Sequence, residues 1–149
     1  MTAGKLCKRK VITTRRDTTI REAARLMRKH HVGCLVVIGE DAGKTEPVGI
    51  LTDRDIVMEV IAENVDINKV NVGDIMSYAL LKVRECDSII ETAQRMRARG
   101  VRRVPVVNNA CELVGIIALD DILELLSEEL SMLARLTSRE AEQEQKKRA

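Results

Sequence analysis

The residues best suited to binding a small molecule lie where an apolar stretch runs into the start of a helix. Residues 48–56 read Val-Gly-Ile-Leu-Thr-Asp-Arg-Asp-Ile, so Thr52 and Asp55 stand three positions apart in the polar turn. A carboxylate can accept both vicinal hydroxyls of a ribose, and a threonine hydroxyl can donate to a phosphate. Backbone N–H groups at a helix start also favour an anion. Taken alone, this spacing favours an ordinary helix N-cap, formed by Thr52 or Asp53, over a ribose-phosphate site.

The same stretch occurs a second time in the chain. Residues 114–122 read Val-Gly-Ile-Ile-Ala-Leu-Asp-Asp-Ile, with Gly115 and Asp121 each 66 positions after Gly49 and Asp55. Ala118 stands where Thr52 stood, and alanine has no hydroxyl to donate. The duplication predicts two related sites that differ in their polar groups.

The remaining reactive side chains form no recognisable metal or catalytic set. The two histidines are adjacent, and the four cysteines are widely spaced with no Cys-x-x-Cys pair: Cys7, Cys34, Cys86 and Cys111. This pattern argues against a zinc site. Without a coherent nucleophile, base and orienting group, we do not expect an enzyme.

Composition and charge argue against several classes of partner. The formal net charge is +2, which gives no global attraction to nucleic acid or to an anionic membrane. Tyr78 is the only aromatic residue, so bases would find a single stacking surface. No apolar segment approaches membrane-spanning length and no signal peptide is recognisable. With free thiols as well, the sequence indicates a soluble cytoplasmic protein.

Hydrophobic periodicity divides the chain into two similar halves. In the first half, residues 10–14, 33–38 and 48–51 read as strands, with one helix capped by Thr18 or Thr19 and another after the strand at residues 48–51. Subtracting 69 superposes Ile89 on Ile20 and Met96 on Met27, and a shorter loop later reduces the offset to 66. Each half reads strand-helix-strand-strand-helix, the second opening with a strand at residues 78–83. Such a half cannot cover its own sheet.

These patterns give the predicted domain boundaries. The first repeat spans residues 7–63 after a loose lead-in, residues 64–73 form a connector, and the second repeat spans residues 74–127. Residues 128–149 are expected to extend the last helix. Their leucines should pack on the domain's own core in preference to binding a partner helix, because no long heptad pattern is present. The polar tail beyond Leu136 should be frayed or disordered.

The duplicated motif, with residues 74–77 (Asp-Ile-Met-Ser) and 100–107 (Gly-Val-Arg-Arg-Val-Pro-Val-Val), resembles a tandem pair of cystathionine-β-synthase (CBS) domains, a Bateman module. The resemblance covers about residues 7–127. It implies an α/β (α+β) fold in which two β-α-β-β-α repeats pack by their sheets in pseudo-two-fold symmetry. It also implies binding of an adenine nucleotide or adenosyl ligand, such as AMP, ADP, ATP, NAD or S-adenosylmethionine.

The family pattern assigns residues to two clefts, each built from both repeats. The first cleft would consist of the residues Ile50, Thr52, Asp55, Met76, Ala79, Leu81, Val101, Arg102 and Arg103. The second would consist of Lys10, Ile12, Val32, Gly33, Ile116, Ala118 and Asp121. Loss of the Thr52 hydroxyl at Ala118 and of the arginine at Gly33 should make the second cleft weaker, empty, or selective for a nucleoside without phosphate. Lys8, Arg9 or Lys10 could compensate.

Two functions remain in competition at the level of sequence. The first is a stand-alone regulatory module that senses an adenosyl ligand and signals its level to an unknown partner. The second is a ligand-free dimerisation or interaction module with degenerate pockets. The resemblance implies a homodimer, for which the apolar stripes on the last helix of each repeat, namely Ile56, Val57, Val60, Ile61, Ile122, Leu123 and Leu126, could supply the contact. The same stripes could instead lie inside the core.

Overall fold

The structure, a computed structural model, describes residues 1–41, 43–78 and 80–149. It contains two three-stranded sheets, one in each repeat, and in each sheet the strands lie side by side in chain order. The first repeat contributes β1 (Thr13–Thr14), α2 (Ile20–His30), β2 (Cys34–Ile38), β3 (Pro47–Thr52) and α3 (Asp53–Ile56) after a short α1 (Ala3–Leu6). The second contributes α4 (Val72–Ile75), β4 (Val83–Arg84), α5 (Ile89–Arg99), β5 (Arg103–Val107), β6 (Leu113–Ala118) and α6 (Leu119–Arg148).

The two sheets have the same topology and equivalent registers. β1 runs parallel to β2, and β2 pairs antiparallel with β3, with Val36 opposite Ile50. β4 and β5 are parallel in the same way, and β5 pairs antiparallel with β6, with Pro105 opposite Ile116. The pattern confirms the predicted pair of α+β repeats.

Local capping explains where the main helices begin and end. Thr19 and Glu22 form a reciprocal capping box at the start of α2, and Ser88 caps α5 through the Glu91 amide. Both helices end in a left-handed residue, His31 in the first repeat and Gly100 in the second. These signals are local in sequence, so the two helices lie where periodicity placed them.

The lead-in segment of each repeat packs on the other repeat. Ala3 and Cys7 belong to the apolar core that contains Ile117 and Ile122 of the second repeat. Val72 and Met76 belong to the core of the first repeat. Hydrogen bonds from the Gly4 amide to the Glu85 carbonyl and from the Gly73 amide to the Arg16 carbonyl fix this exchange. The expected loose lead-in is therefore helix α1 followed by a buried residue.

Two glycines allow the exchanged segments to cross the sheets. A Cβ atom built at Gly115 would lie 2.9 Å from Cys7 Cβ and 2.9 Å from the Lys8 carbonyl oxygen. At Gly49 it would lie 2.8 Å from Met76 Sδ and 2.9 Å from the Ser77 carbonyl oxygen. At both positions the absence of a side chain lets the backbone of the exchanged segment lie directly against the backbone of the strand.

The strands that open each repeat are shorter than predicted. β1 covers two residues rather than residues 10–14, and β4 begins at Val83 rather than near Tyr78. The preceding residues make single bridges instead, Lys8 to Ile116 and Ser77 to Ile50. Crossing from one repeat to the other leaves these segments without a continuous partner strand.

The last helix of each repeat differs from the simple amphipathic helix that the sequence suggested. Residues 57–61 after α3 are π-helical, which leaves Val57 and Ile61 exposed while Ile56 and Val60 are buried. The tail expected to fray is helical, since α6 continues to Arg148. Leu130, Leu133 and Leu136 are exposed along it, so the expectation that these leucines pack on the core was wrong.

Within the described ranges no helix is long and apolar enough to cross a membrane. The two cores, the two sheets and the exchanged lead-ins together place the starts of α3 and α6, with their carboxylates, beside segments of the opposite repeat.

The close approach at Gly115 is testable by a single methyl group. Gly115→Ala should lower the free energy of unfolding by about 1–3 kcal/mol, because the Cys7 Cβ and the Lys8 carbonyl must move apart. Urea denaturation measures the difference. Gly39→Ala is the matched control, since its new Cβ would meet no atom closer than 3.4 Å. Equal stability of the two variants would contradict the packing described.

Candidate functional site

Thr52 and Asp55 hold each other at the start of α3. The Asp55 amide donates to Thr52 Oγ1 at 3.1 Å, and the Thr52 amide donates to Asp55 Oδ2 at 2.8 Å. This is a reciprocal capping pair. It uses one acceptor position of each side chain, so the Thr52 hydroxyl proton and Asp55 Oδ1 are left over. Capping and ligand binding are therefore compatible roles for the same two residues.

The backbone amides at this helix start are already used by the protein. The Asp53 amide donates to the Gly33 carbonyl at 3.0 Å, and the Arg54 amide donates to Asp53 Oδ1 at 2.8 Å. The Asp55 amide is taken by Thr52. The expectation that free N–H groups would hold an anion here was wrong, because a tertiary contact and two side chains satisfy them.

A cavity of about 480 Å³ opens beside this pair, between the two repeats. The repeats bring together seven of the residues expected in the first cleft, and these residues line the cavity: Ile50, Thr52, Asp55, Leu81, Val101, Arg102 and Arg103. Its apolar side comes from Ile50, Leu81 and Val101, and its polar side from Thr52, Asp55 and the arginines. The cavity thus joins an aliphatic slot to hydroxyl, carboxylate and guanidinium groups.

One expected residue of the described structure, Met76, does not line the cavity. Met76 is only 4% exposed and packs over Gly49 in the core of the first repeat. Met76 lies on the lead-in segment that crosses from the second repeat. Its sulfur occupies the space that the missing side chain of Gly49 leaves. Ala79 lies outside the described residues.

Sequence reasoning missed five further residues of the cavity lining, namely Asp53, Arg54, Ser77, Leu80 and Gly100. In the sequence, Ser77 directly follows Met76, and Leu80 directly precedes Leu81, two residues that were predicted to line the cleft. Their positions depend on the bridge between Ser77 and Ile50, in which each amide donates to the other carbonyl. No local pattern reports such a bridge.

Charged groups of both signs lie around the cavity. Arg102 is exposed and approaches Asp120 only at 3.9 Å, a surface ion pair that contributes little. Arg103 lies near Cys34, a half-buried thiol whose pKa is raised by burial, lowered by Arg103 and raised by Asp53. The arginines are thus held loosely enough to meet an anion.

The second cleft contains the equivalent helix start with a different arrangement. The Ala118 amide donates to Asp121 Oδ2 at 2.8 Å, as the Thr52 amide does to Asp55. Lys8 Nζ lies 2.8 Å from Asp121 Oδ1. The hydrogen bond and the charge of Asp121 raise the pKa of the Lys8 ammonium. Both carboxylate oxygens of Asp121 therefore have a partner within the chain.

The other residues expected in the second cleft are more dispersed. Ile116 forms a β-bridge with Lys8, and the Lys8 side chain contacts Asp121 on the helix that follows Ile116. Ile12 and Val32 are half-buried against the core of the first repeat, and Lys10 is exposed. The Gly33 carbonyl accepts the Asp53 amide. Arg9 does not compensate at Ala118 but donates to the Gly4 and Val114 carbonyls.

Fold and site together define a paired-repeat α+β module with a ligand-sized cleft between its repeats. The sequence matches the CBS domain model over residues 3–62 and 72–128. The chain therefore belongs to the CBS domain family and carries two CBS domains.

Relatives in sequence span bacteria and archaea. A CBS domain-containing protein of Bacillus subtilis is 37% identical over 112 residues, covering 75% of this chain and 76% of its own. Hypoxic response protein 1 of Mycobacterium tuberculosis is 37% identical over 110 residues, covering 74% of each. An uncharacterised protein of Methanopyrus kandleri is 35% identical over 84% of this chain, but the match spans only 62% of that protein.

Solved structures of other CBS domain proteins are also similar to this chain. One is a CBS domain pair in complex with 5′-methylthioadenosine and S-adenosyl-L-methionine, with a TM-score of 0.75 and 26% identity over 87% of this chain and 98% of that one. Another is Hypoxic Response Protein I with two coordinated zinc ions, with a TM-score of 0.71 and 35% identity over 83% and 98%. In the described part of this chain, no three His, Cys, Asp or Glu side chains come together to hold a metal.

Thiol reactivity tests the burial around the clefts. Burial raises the pKa of Cys34 and of Cys7, so at pH 8 both carry less thiolate than an ordinary thiol. Cys86 and Cys111 are exposed. With limiting iodoacetamide at that pH, the two exposed cysteines should be alkylated first, as measured by peptide mass spectrometry over time. Alkylation of Cys34 as fast as Cys111 would contradict the environment described.

Proposed function

We propose that the chain is a regulatory module that binds an adenine nucleotide or adenosyl compound in the first cleft and signals its level to a partner protein. The observation that carries this proposal is the cavity of about 480 Å³ between the Thr52–Asp55 pair of one repeat and the apolar wall of the other. Small-molecule sites commonly have volumes of about 300–1,000 Å³. The relative solved with 5′-methylthioadenosine and S-adenosyl-L-methionine supports an adenosyl group as the common part of the ligand.

The ribose is assigned to Asp55. Its Oδ2 accepts the Thr52 amide, and its Oδ1 has no hydrogen bond among the described residues. A vicinal diol would donate to this carboxylate, and a bond to a charged acceptor contributes about 1.5–3 kcal/mol. The Thr52 hydroxyl, already accepting from the Asp55 amide, keeps its proton for a phosphate oxygen.

The base and the phosphates take the two remaining parts of the cavity. Adenine would lie against Ile50, Leu81 and Val101, an aliphatic slot that leaves its hydrogen bonds to backbone groups. Arg102 and Arg103 are the cations available for phosphate, since the helix-start amides are occupied. These features suit AMP, ADP, ATP and NAD better than an uncharged nucleoside.

Signalling follows from ligand binding across the two repeats. A ligand that contacts both repeats favours one arrangement of them, and it shifts the population only by its differential affinity. The proposal gives the chain no catalytic role. The free thiols fit a reducing compartment such as the cytoplasm.

The ribose assignment is testable by calorimetry with AMP. Asp55→Asn should weaken AMP binding at the first cleft at least tenfold, because the diol loses a charged acceptor while the cap at the Thr52 amide can be kept by the asparagine oxygen. Asp17→Asn, an exposed aspartate outside the cavity lining, is the matched control and should bind as the unmodified chain does. Unchanged affinity in Asp55→Asn would refute the assignment.

A second candidate function, a ligand-free dimerisation module, is favoured by a separate observation. Val57, Ile61, Leu123 and Leu126 are exposed on the last helix of each repeat, whereas Ile56, Val60 and Ile122 are buried. Contiguous exposed apolar side chains commonly mark a protein contact. This face also supports a homodimer within the leading proposal, and failure of AMP, ATP, NAD and S-adenosylmethionine to raise the melting temperature would favour the second candidate.

The dimer has its own test. Val57→Glu together with Leu123→Glu should convert a dimer to a monomer in sedimentation equilibrium, since two charges per subunit would be desolvated in the contact. Met132→Glu, an exposed apolar position farther along α6, is the control and should leave the mass unchanged. A monomer in the unmodified chain would exclude this contact.

A further inference from the structure

Lys8 takes the place in the second cleft that Ser77 takes in the first. Ser77 and Ile50 exchange two backbone hydrogen bonds, of 2.9 and 3.3 Å, where the exchanged lead-in crosses β3. Lys8 and Ile116 exchange the corresponding pair, of 2.9 and 3.0 Å, where the other lead-in crosses β6. Ser77 lines the cavity beside Asp55. The symmetry of the repeats therefore directs the Lys8 side chain toward Asp121.

The Lys8 ammonium engages the carboxylate that the family pattern assigns to a ribose. Lys8 Nζ lies 2.8 Å from Asp121 Oδ1, and the Ala118 amide donates to Asp121 Oδ2, also at 2.8 Å. The Asp121 side chain is 8% exposed and the Lys8 side chain is 70% exposed. The lysine consequently covers the solvent side of a nearly buried carboxylate.

A ligand hydroxyl would compete poorly for this carboxylate. A hydrogen bond from a ribose hydroxyl to this carboxylate is charge-assisted as well, so the ligand gains it only by displacing the ammonium and losing the attraction between the two opposite charges. In the first cleft the serine offers no charge, and Asp55 Oδ1 has no hydrogen bond among the described residues. The two carboxylates are alike in their caps and differ in the residue that crosses beside them.

We propose that Lys8 acts as a built-in occupant of the second cleft, so that each chain binds one nucleoside-containing ligand rather than two. The inference rests on the proposed function, because it assigns Asp121 the role proposed for Asp55. Lys8 is thus a residue that sets the number of binding sites, and it acts by holding the ribose-binding oxygen of Asp121. The missing hydroxyl at Ala118 then affects only ligands that carry a phosphate.

Adenosine is the suitable probe, because it lacks the phosphate for which Ala118 has no donor. Lys8→Ser introduces the residue that the first cleft already carries at Ser77, where the same crossing and the same carboxylate cap are present. By titration calorimetry the unmodified chain should bind one adenosine per chain, and Lys8→Ser should bind two. The affinity gained at the second cleft should be at least tenfold.

Two controls isolate the ion pair. Lys5→Ser removes an exposed lysine that has no ion pair among the described residues, and it should still bind one adenosine per chain. Lys8→Ser combined with Asp121→Asn should return the stoichiometry to one, because the uncovered acceptor loses its charge. Lys8→Ala serves as a second variant in case Lys8→Ser does not fold, and it should also bind two.

The outcomes separate this inference from the proposed function. One adenosine in the unmodified chain and one in every Lys8 variant overturns the role of Lys8 and leaves the first cleft intact. Two adenosines in the unmodified chain also overturns it. No adenosine bound by the unmodified chain and one bound by Lys8→Ser supports the role of Lys8. No adenosine bound by either chain overturns it. In both cases AMP is titrated into the unmodified chain, and failure of AMP to bind overturns the first cleft as well.

Discussion

The structure depends on the exchange of two short lead-in segments between the repeats. The segment ending in Cys7 and Lys8 crosses β6 of the second repeat over Gly115, and the segment ending in Met76 and Ser77 crosses β3 of the first. Each apolar core contains residues from the other repeat's lead-in. Neither half could bury its sheet by itself, so the pair behaves as a single folding unit.

The same exchange places different residues beside the two helix-start carboxylates. Each crossing segment places a residue beside the carboxylate at the start of the next helix, Ser77 near Asp55 and Lys8 against Asp121. Two side-chain differences distinguish the two sites: Lys8 in place of Ser77, and Ala118 in place of Thr52. Among the described residues Asp55 Oδ1 has no hydrogen bond, whereas both carboxylate oxygens of Asp121 have a partner within the chain. The two repeats therefore have the same strand topology but different side chains beside the helix-start carboxylate.

The surface carries a second consequence of the repeat. Both final helices bury one apolar row in the core and expose another, although residues 57–61 of the first repeat are π-helical and α6 is an α-helix. On α6 the exposed row continues through Leu130, Leu133 and Leu136, beyond the matched CBS domains.

The sequence by itself determined the repeats, their fold class, the two main helices and the Thr52–Asp55 pair. These depend on hydrophobic period and capping, which act within a few residues along the chain. Only the tertiary structure decided the position of Met76, the occupation of the helix-start amides and the partner of Asp121. Lys8 and Asp121 lie 113 positions apart, and no local period records a contact between an exposed lead-in and a distant helix start. The duplicated motif predicted the two helix starts, and the crossing segments decided which side chain lies beside each carboxylate.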